Sequence, residues 1–157
     1  VDACVDAGCA VLFSLSYNGT IAWASSDESP ASDTTPTDER VRAAVDEHQR
    51  QDKGLGLALG PAAGRLAEDL FRERGYRTWS APSPWRLRAE ETELASRLVR
   101  GWVEATLELE PGEGERLNAW ARQKLEAFRR GELDLTVGHL DVLALPADGT
   151  RPGSESR

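Results

Sequence analysis

Four groups of side chains in this sequence have types and spacings that could hold a ligand. His139 and Asp141 lie two apart in the apolar run 135–145. On a strand that spacing puts both on one face, with Val137, Leu143 and Leu145. A polar pair on an apolar face must find partners or line a cleft. His48, Gln49, Asp52 and Lys53 cluster where a helical pattern ends. His48 there can meet the last helix carbonyls or contact a ligand. Trp85 and Arg86 follow Pro82-Ser83-Pro84. Indole beside guanidinium can clamp a carboxylate or a ring, and the indole can equally be packing. Gly54, Gly56 and Gly60 suggest a phosphate loop, but a helical pattern precedes them and the third glycine is one residue late for the dinucleotide fingerprint. They read as a connector. No G-x-S-x-G elbow is present, which argues against a hydrolase using His139 and Asp141. The charges from Arg88 to Glu93 read as a solvated helix face.

These residues need elements to position them. Residues 1–8 read as the last turns of a helix, with Gly8 as its stop. Residues 10–17 form the clearest strand. Asn18-Gly19 signals a hairpin turn, with 20–23 as a short return strand. Residues 24–36 are rich in Ser, Asp, Thr and Pro and read as a surface loop, with 24–34 the most mobile internal segment. Thr35-Pro36-Thr37-Asp38 is a helix start with a capping box, and Val41, Ala44, Val45 and His48 share the face that follows. A helix over 61–74 carries the stripe Leu66, Ala67, Leu70 and Phe71. A strand over 76–81 ends at Pro82-Ser83-Pro84. Helices over 89–109 and 113–130 bury Leu94, Leu98, Val99, Trp102 and Val103, and then Leu117, Trp120, Ala121, Leu125 and Phe128. A last strand runs 135–145. Alternating helices and strands imply an α/β sheet. The breakers at the other two strands place 135–145 at the centre of a three-stranded mixed sheet. Residues 1–146 then form one domain and 147–157 a polar tail.

The chain has 157 residues, 39% hydrophobic and 29% charged, with a formal net charge of −8. That balance argues against a nucleic-acid partner and against an anionic membrane surface. No apolar run approaches the ~20 residues of a membrane span. Cys4 and Cys9 are too few for a disulfide scaffold and read as two reduced, buried thiols in a cytoplasmic protein. The absence of methionine and the start at Val1 read as a piece of a longer protein.

Several phrases, taken in order, resemble one family. They are Leu12-Phe13-Ser14-Leu15-Ser16-Tyr17-Asn18-Gly19 with Ile21 and Trp23; His48-Gln49-Arg50 with Asp52-Lys53-Gly54; Ala58-Leu59-Gly60-Pro61; Gly75-Tyr76-Arg77; Ser83-Pro84-Trp85-Arg86-Leu87; and Gly138-His139-Leu140-Asp141. Together they resemble the C-terminal half of bacterial class I S-adenosylmethionine-dependent methyltransferases, over about residues 1–146. The resemblance implies a Rossmann-like sheet in which 10–17, 76–81 and 135–145 are the fifth, sixth and seventh strands, the seventh antiparallel between the other two, with a helical insertion at 89–130. It implies S-adenosylmethionine as cofactor and methyl transfer to a small-molecule acceptor. The family's glycine-rich loop and ribose-binding acidic residue fall outside these residues, so no cofactor ligand is assigned here. The missing N-terminal half or another subunit would be the partner. Tyr17 closes the expected fifth strand, where ligands sit in open α/β sheets. His48 and His139 are the candidate bases if the acceptor loses a proton. Tyr17, Lys53, Trp85, Arg86 and Asp141 are the candidate acceptor contacts. A non-catalytic α/β module that docks on a partner is the alternative.

Overall fold

The computed structural model describes residues 1–26, 34–52, 54 and 56–147. Among them lie five α-helices and four strands. The order is α1 (Asp2–Asp6), β1 (Val11–Ser25), α2 (Pro36–His48), α3 (Ala63–Glu73), β2 (Tyr76–Pro82), β3 (Trp85–Leu87), α4 (Thr92–Leu109), α5 (Gly114–Arg129) and β4 (Leu133–Pro146). Short 3₁₀ turns precede α3, α4 and α5.

The α/β class stands. β4 is central, in the order β1–β4–β2, with β3 also on β4. This is the order expected from the breakers. The sheet is not mixed, however, because every ladder is antiparallel. β1 and β2 run parallel to each other, but β4 lies between them and pairs with both.

The expected hairpin at Asn18-Gly19 is absent. β1 runs through it as one strand of 15 residues, with two register shifts against β4. Between Phe13 and Ser16, Leu15 takes a φ of 56° and one extra residue is accommodated. Between Tyr17 and Ile21, two extra residues bulge opposite Gly138. A Cβ at Gly138 would collide with the Asn18 side chain and with Thr20. Glycine in β4 therefore makes room for the Asn-Gly bulge.

The Pro82-Ser83-Pro84 segment also interrupts less than expected. Pro82 pairs with Leu140 and Trp85 with Val137, so β3 resumes the same register. The Ser83 N–H bridges the gap by donating to the His139 carbonyl at 3.0 Å. Proline is tolerated because this is an edge, where an N–H can be lost without breaking a ladder.

Helix starts follow local chemistry. Thr35 caps α2, with the reciprocal Asp38 box and Pro36 in the first turn. Gly8 stops α1 at a φ of 60°. Residues 24 and 25, expected in a loop, belong to β1, and 27–33 lie outside the described residues.

Two clusters form the interior, on opposite faces of the sheet. The larger joins Trp23, Leu87, Leu135 and Val137 to α2, α4 and α5 through Val41, Val99, Trp102, Leu117 and Phe128. The smaller joins Phe71 of α3, Tyr76 and Ala144, with Val1, Cys4 and Val5 against it. Strand alternation explains the division. In β4, residues 135 and 137 point to one face and 142 and 144 to the other. On the stripes, Leu66 and Leu94 are exposed, while Ala95, Ala105 and Thr106 are buried instead. No helix among the described residues is long and apolar enough to cross a membrane.

Candidate functional site

The middle of β4 gathers three of the expected site residues. Tyr17 lies directly across the ladder from His139. Trp85 reaches the same face from β3, and its ring centroid is 4.8 Å from that of His139. His139 is 6% exposed, and its Nδ1 has no hydrogen-bond partner among the described residues. Burial lowers its pKa from the usual value, against the raising effects of the Asp141 charge and the Val137 backbone. At neutral pH it is therefore an uncharged imidazole.

Tyr17 is anchored to α2. Its hydroxyl donates to Asp46 Oδ1 at 3.0 Å, and Arg42 donates to Asp46 Oδ2 at 3.1 Å. Burial and the Asp46 carboxylate push the phenol far above its ordinary range, so it stays protonated. A cavity of about 340 Å³ opens beside it, lined by Ser16, Tyr17, Gln49, Leu59 and Gly60 among others.

Asp141 does different work. Its Oδ1 accepts from the Leu15 N–H at 2.8 Å and from the Ser83 hydroxyl at 2.7 Å. One carboxylate thus ties both neighbouring strands to β4 at their two irregular points. The Ser83 and Leu15 hydrogen bonds hold its pKa below the usual carboxylate value. Its geometry is that of a brace between strands.

The remaining candidates lie elsewhere. His48 Nε2 is 3.0 Å from Glu108 Oε2, joining α2 to α4. Arg86 follows Trp85 on β3 and so points to the opposite face, where it is exposed. The two cannot form one clamp. Lys53 lies outside the described residues.

The interior also holds a polar network outside the candidates above. Lys124 Nζ lies 2.9 Å from Asp38 Oδ2, and Trp120 Nε1 donates to Asp38 Oδ1 at 2.8 Å. Burial alone would raise the Asp38 pKa, but Lys124, Thr35 and Trp120 more than offset it and hold it low. The ammonium also sits 5.5 Å over the Trp23 ring. The signal was present: Lys124 falls on the same helical stripe as Trp120 and Phe128. A cavity of about 830 Å³ adjoins Thr35, Trp120 and Lys124. It exceeds the one at Tyr17, but Trp120 and Lys124 on its wall are already bonded to Asp38. The chemistry favours the Tyr17–His139–Trp85 cluster over the larger space.

The glycine loop gives no cradle for S-adenosylmethionine. It follows α2 rather than a strand. The Gly54 and Gly56 N–H groups both donate to Asp52 Oδ1, at 2.7 and 2.9 Å. A Cβ at Gly60 would lie 2.8 Å from the Arg50 side chain, so that backbone is already covered. Gly54 and Gly56 therefore have no free N–H to offer this cofactor.

No family model and no curated protein sequence matches this chain.

Proposed function

We propose that this chain is the acceptor-side part of a class I methyltransferase-like domain of Rossmann type, acting on a small-molecule acceptor. The observation that carries the reading is the strand arrangement. β1 and β2 run parallel, and β4 is inserted antiparallel between them. This is the arrangement that the family resemblance implies for the fifth, sixth and seventh strands. The cofactor would be held by residues other than these, since Gly54 and Gly56 donate to Asp52 and Gly60 is covered by Arg50. Tyr17, His139 and Trp85 would face the acceptor. A neutral imidazole beside an indole suits a flat, uncharged group.

The test is to read and express the coding sequence that precedes Val1. A glycine-rich strand–loop–helix there, with micromolar S-adenosylmethionine binding by the longer protein and none by residues 1–157, supports the proposal. Absence of that segment, or binding by neither protein, overturns it.

A second reading is a docking module without catalysis. It is favoured by one observation, an exposed row of apolar side chains across the sheet: Leu12, Leu143 and Trp79. Binding of S-adenosylmethionine by the longer protein separates the two.

A further inference from the structure

The last turn of α1 brings the chain's two cysteines together. The Gly8 N–H donates to the Val5 carbonyl at 3.0 Å, and the Cys9 N–H to the Cys4 carbonyl at 3.2 Å. With Gly8 at a φ of 60°, this is a Schellman cap. In such a cap the side chains at the two positions held by Cys4 and Cys9 commonly touch. The Cys9 thiol itself donates to the Cys4 carbonyl oxygen at 3.6 Å. Both are free thiols, Cys9 exposed and Cys4 half-buried, so the expectation of two buried thiols is corrected.

The surroundings hold this pair in place. The Tyr76 hydroxyl donates to the same Cys4 carbonyl at 3.0 Å. Cys4, Val1 and Val5 pack on Phe71 and Tyr76. The cap is therefore fixed to the sheet, and Cys9 is left exposed.

We propose that Cys4 and Cys9 are a thiol–disulfide exchange site that closes to an internal disulfide on reaction with a small-molecule disulfide of the glutathione type. The Cys9 thiolate attacks one sulfur of oxidised glutathione, which expels one glutathione thiolate and leaves a mixed disulfide on Cys9. The Cys4 thiolate then attacks the Cys9 sulfur, forms the Cys4–Cys9 bond and expels the second glutathione thiolate. The two protein thiols lose two electrons, the glutathione disulfide gains them, and the two protons pass through solvent to the released thiols. The closed bond clamps the end of α1 to the segment entering β1.

The test is intact-mass analysis of the whole chain after incubation with oxidised glutathione, followed by alkylation. The wild type should lose the mass of two hydrogens, retain no glutathione and resist alkylation. The Cys4→Ser variant should instead retain one glutathione on Cys9. Repeating the wild-type reaction in denaturing guanidinium chloride should lower the ratio of internal to mixed disulfide by at least about tenfold, because the fold sets the effective concentration of the pair. A stable mixed disulfide on the native wild type overturns the proposal. So does a ratio that denaturant leaves unchanged, since chain spacing alone would then explain the bond.

Discussion

Two quarters of the sheet face solvent, and they are built differently. At one end of β4, Asp134 and Thr136 share a face with Ala22, Ala24 and Arg86 on the neighbouring strands. Asp134 accepts from the Ser26 hydroxyl at 3.3 Å and lies 3.8 Å from Arg88. These are polar or small groups, suited to water. At the other end, on the opposite face, Leu143 lies between Leu12 and Trp79. They are 36%, 66% and 49% exposed. Arg77 lies over the Trp79 ring at 5.7 Å and covers part of it. Contiguous exposed apolar rows can serve as interaction surfaces, whereas scattered apolar residues need no explanation. The outer edge of β1 is also unpaired among the described residues. The same strand thus presents one finished surface and one that asks for a cover. Both readings of function supply one, either the rest of a domain or a partner.

The largest effects should come from the covered quarters, and they calibrate the comparison. Phe128 is fully buried in the larger cluster, where its ring meets Trp23 edge-on. Phe128→Ala should cost about 3–5 kcal/mol of unfolding free energy. Trp79→Ala removes an even larger ring from the open apolar quarter, and in the isolated chain it should cost less than about 1 kcal/mol. Urea denaturation of both variants checks this. A Trp79→Ala cost equal to that of Phe128→Ala would mean that the row is already covered.

Lys124→Ala should be nearly as damaging as Phe128→Ala. It strands the Asp38 carboxylate in the interior, and removing one partner of a buried ion pair costs about 3–5 kcal/mol. Lys124→Met in combination with Asp38→Asn should recover a large part of that loss, because no charge is then left alone. A double variant as unstable as Lys124→Ala would show that packing, not charge, dominates the site.

The pH dependence is a third and smaller effect. The folded pKa of His139 lies below its ordinary 6.5 because burial disfavours the imidazolium. Between those two values the unfolded chain binds the extra proton, so stability falls as the pH drops through that window. The depressed carboxylates behave similarly at lower pH. Asp38 and Asp141 contribute stability above their ordinary 3.8, and it is lost as pH falls through their folded values. His139→Gln should flatten the first decline, below 6.5, and leave the second in place. Denaturation midpoints taken from neutral pH to below 3.8 distinguish the two. An unchanged first decline would assign it to other groups.

How far the sequence reached depended on whether a partner was local. Thr35 and Asp38 are three residues apart, and their reciprocal cap is written in that spacing. Gly8 as a helix stop and the two-sided apolar run of β4 were legible for the same reason. Asn18-Gly19 misled because its local signal is a turn. The deciding residue is Gly138, which makes room for a bulge from across the ladder. Asp141 was recognised as a polar residue needing partners, but Leu15 and Ser83 lie 126 and 58 residues away in sequence. Trp85 and Arg86 adjoin in sequence and suggest one unit, and the prolines hide the strand that separates them onto two faces. Tyr17, His139 and Trp85 meet only because two edge strands share β4.

The smallest effects test the two open quarters against each other. The Arg86 side chain is exposed and makes no hydrogen bond or ion pair among the described residues. Arg86→Ala should change stability by no more than about 0.5 kcal/mol, as exposed substitutions usually do. Leu12→Lys in the apolar quarter should be equally mild on the isolated chain, because Leu12 is two-thirds exposed. The two differ in what they do to the surface. An uncovered apolar row should bind a hydrophobic dye such as anilinonaphthalene sulfonate, and Leu12→Lys should reduce that fluorescence. Arg86→Ala should leave it unchanged, apart from any shift that its loss of positive charge produces on an anionic dye. Leu12→Gln, which adds no charge, controls for that shift and should reduce binding as well. If Leu12→Gln and Arg86→Ala give the same fluorescence as the wild type, dye binding lies elsewhere. The apolar quarter then has no more need of a cover than the polar one, and the contrast between them fails.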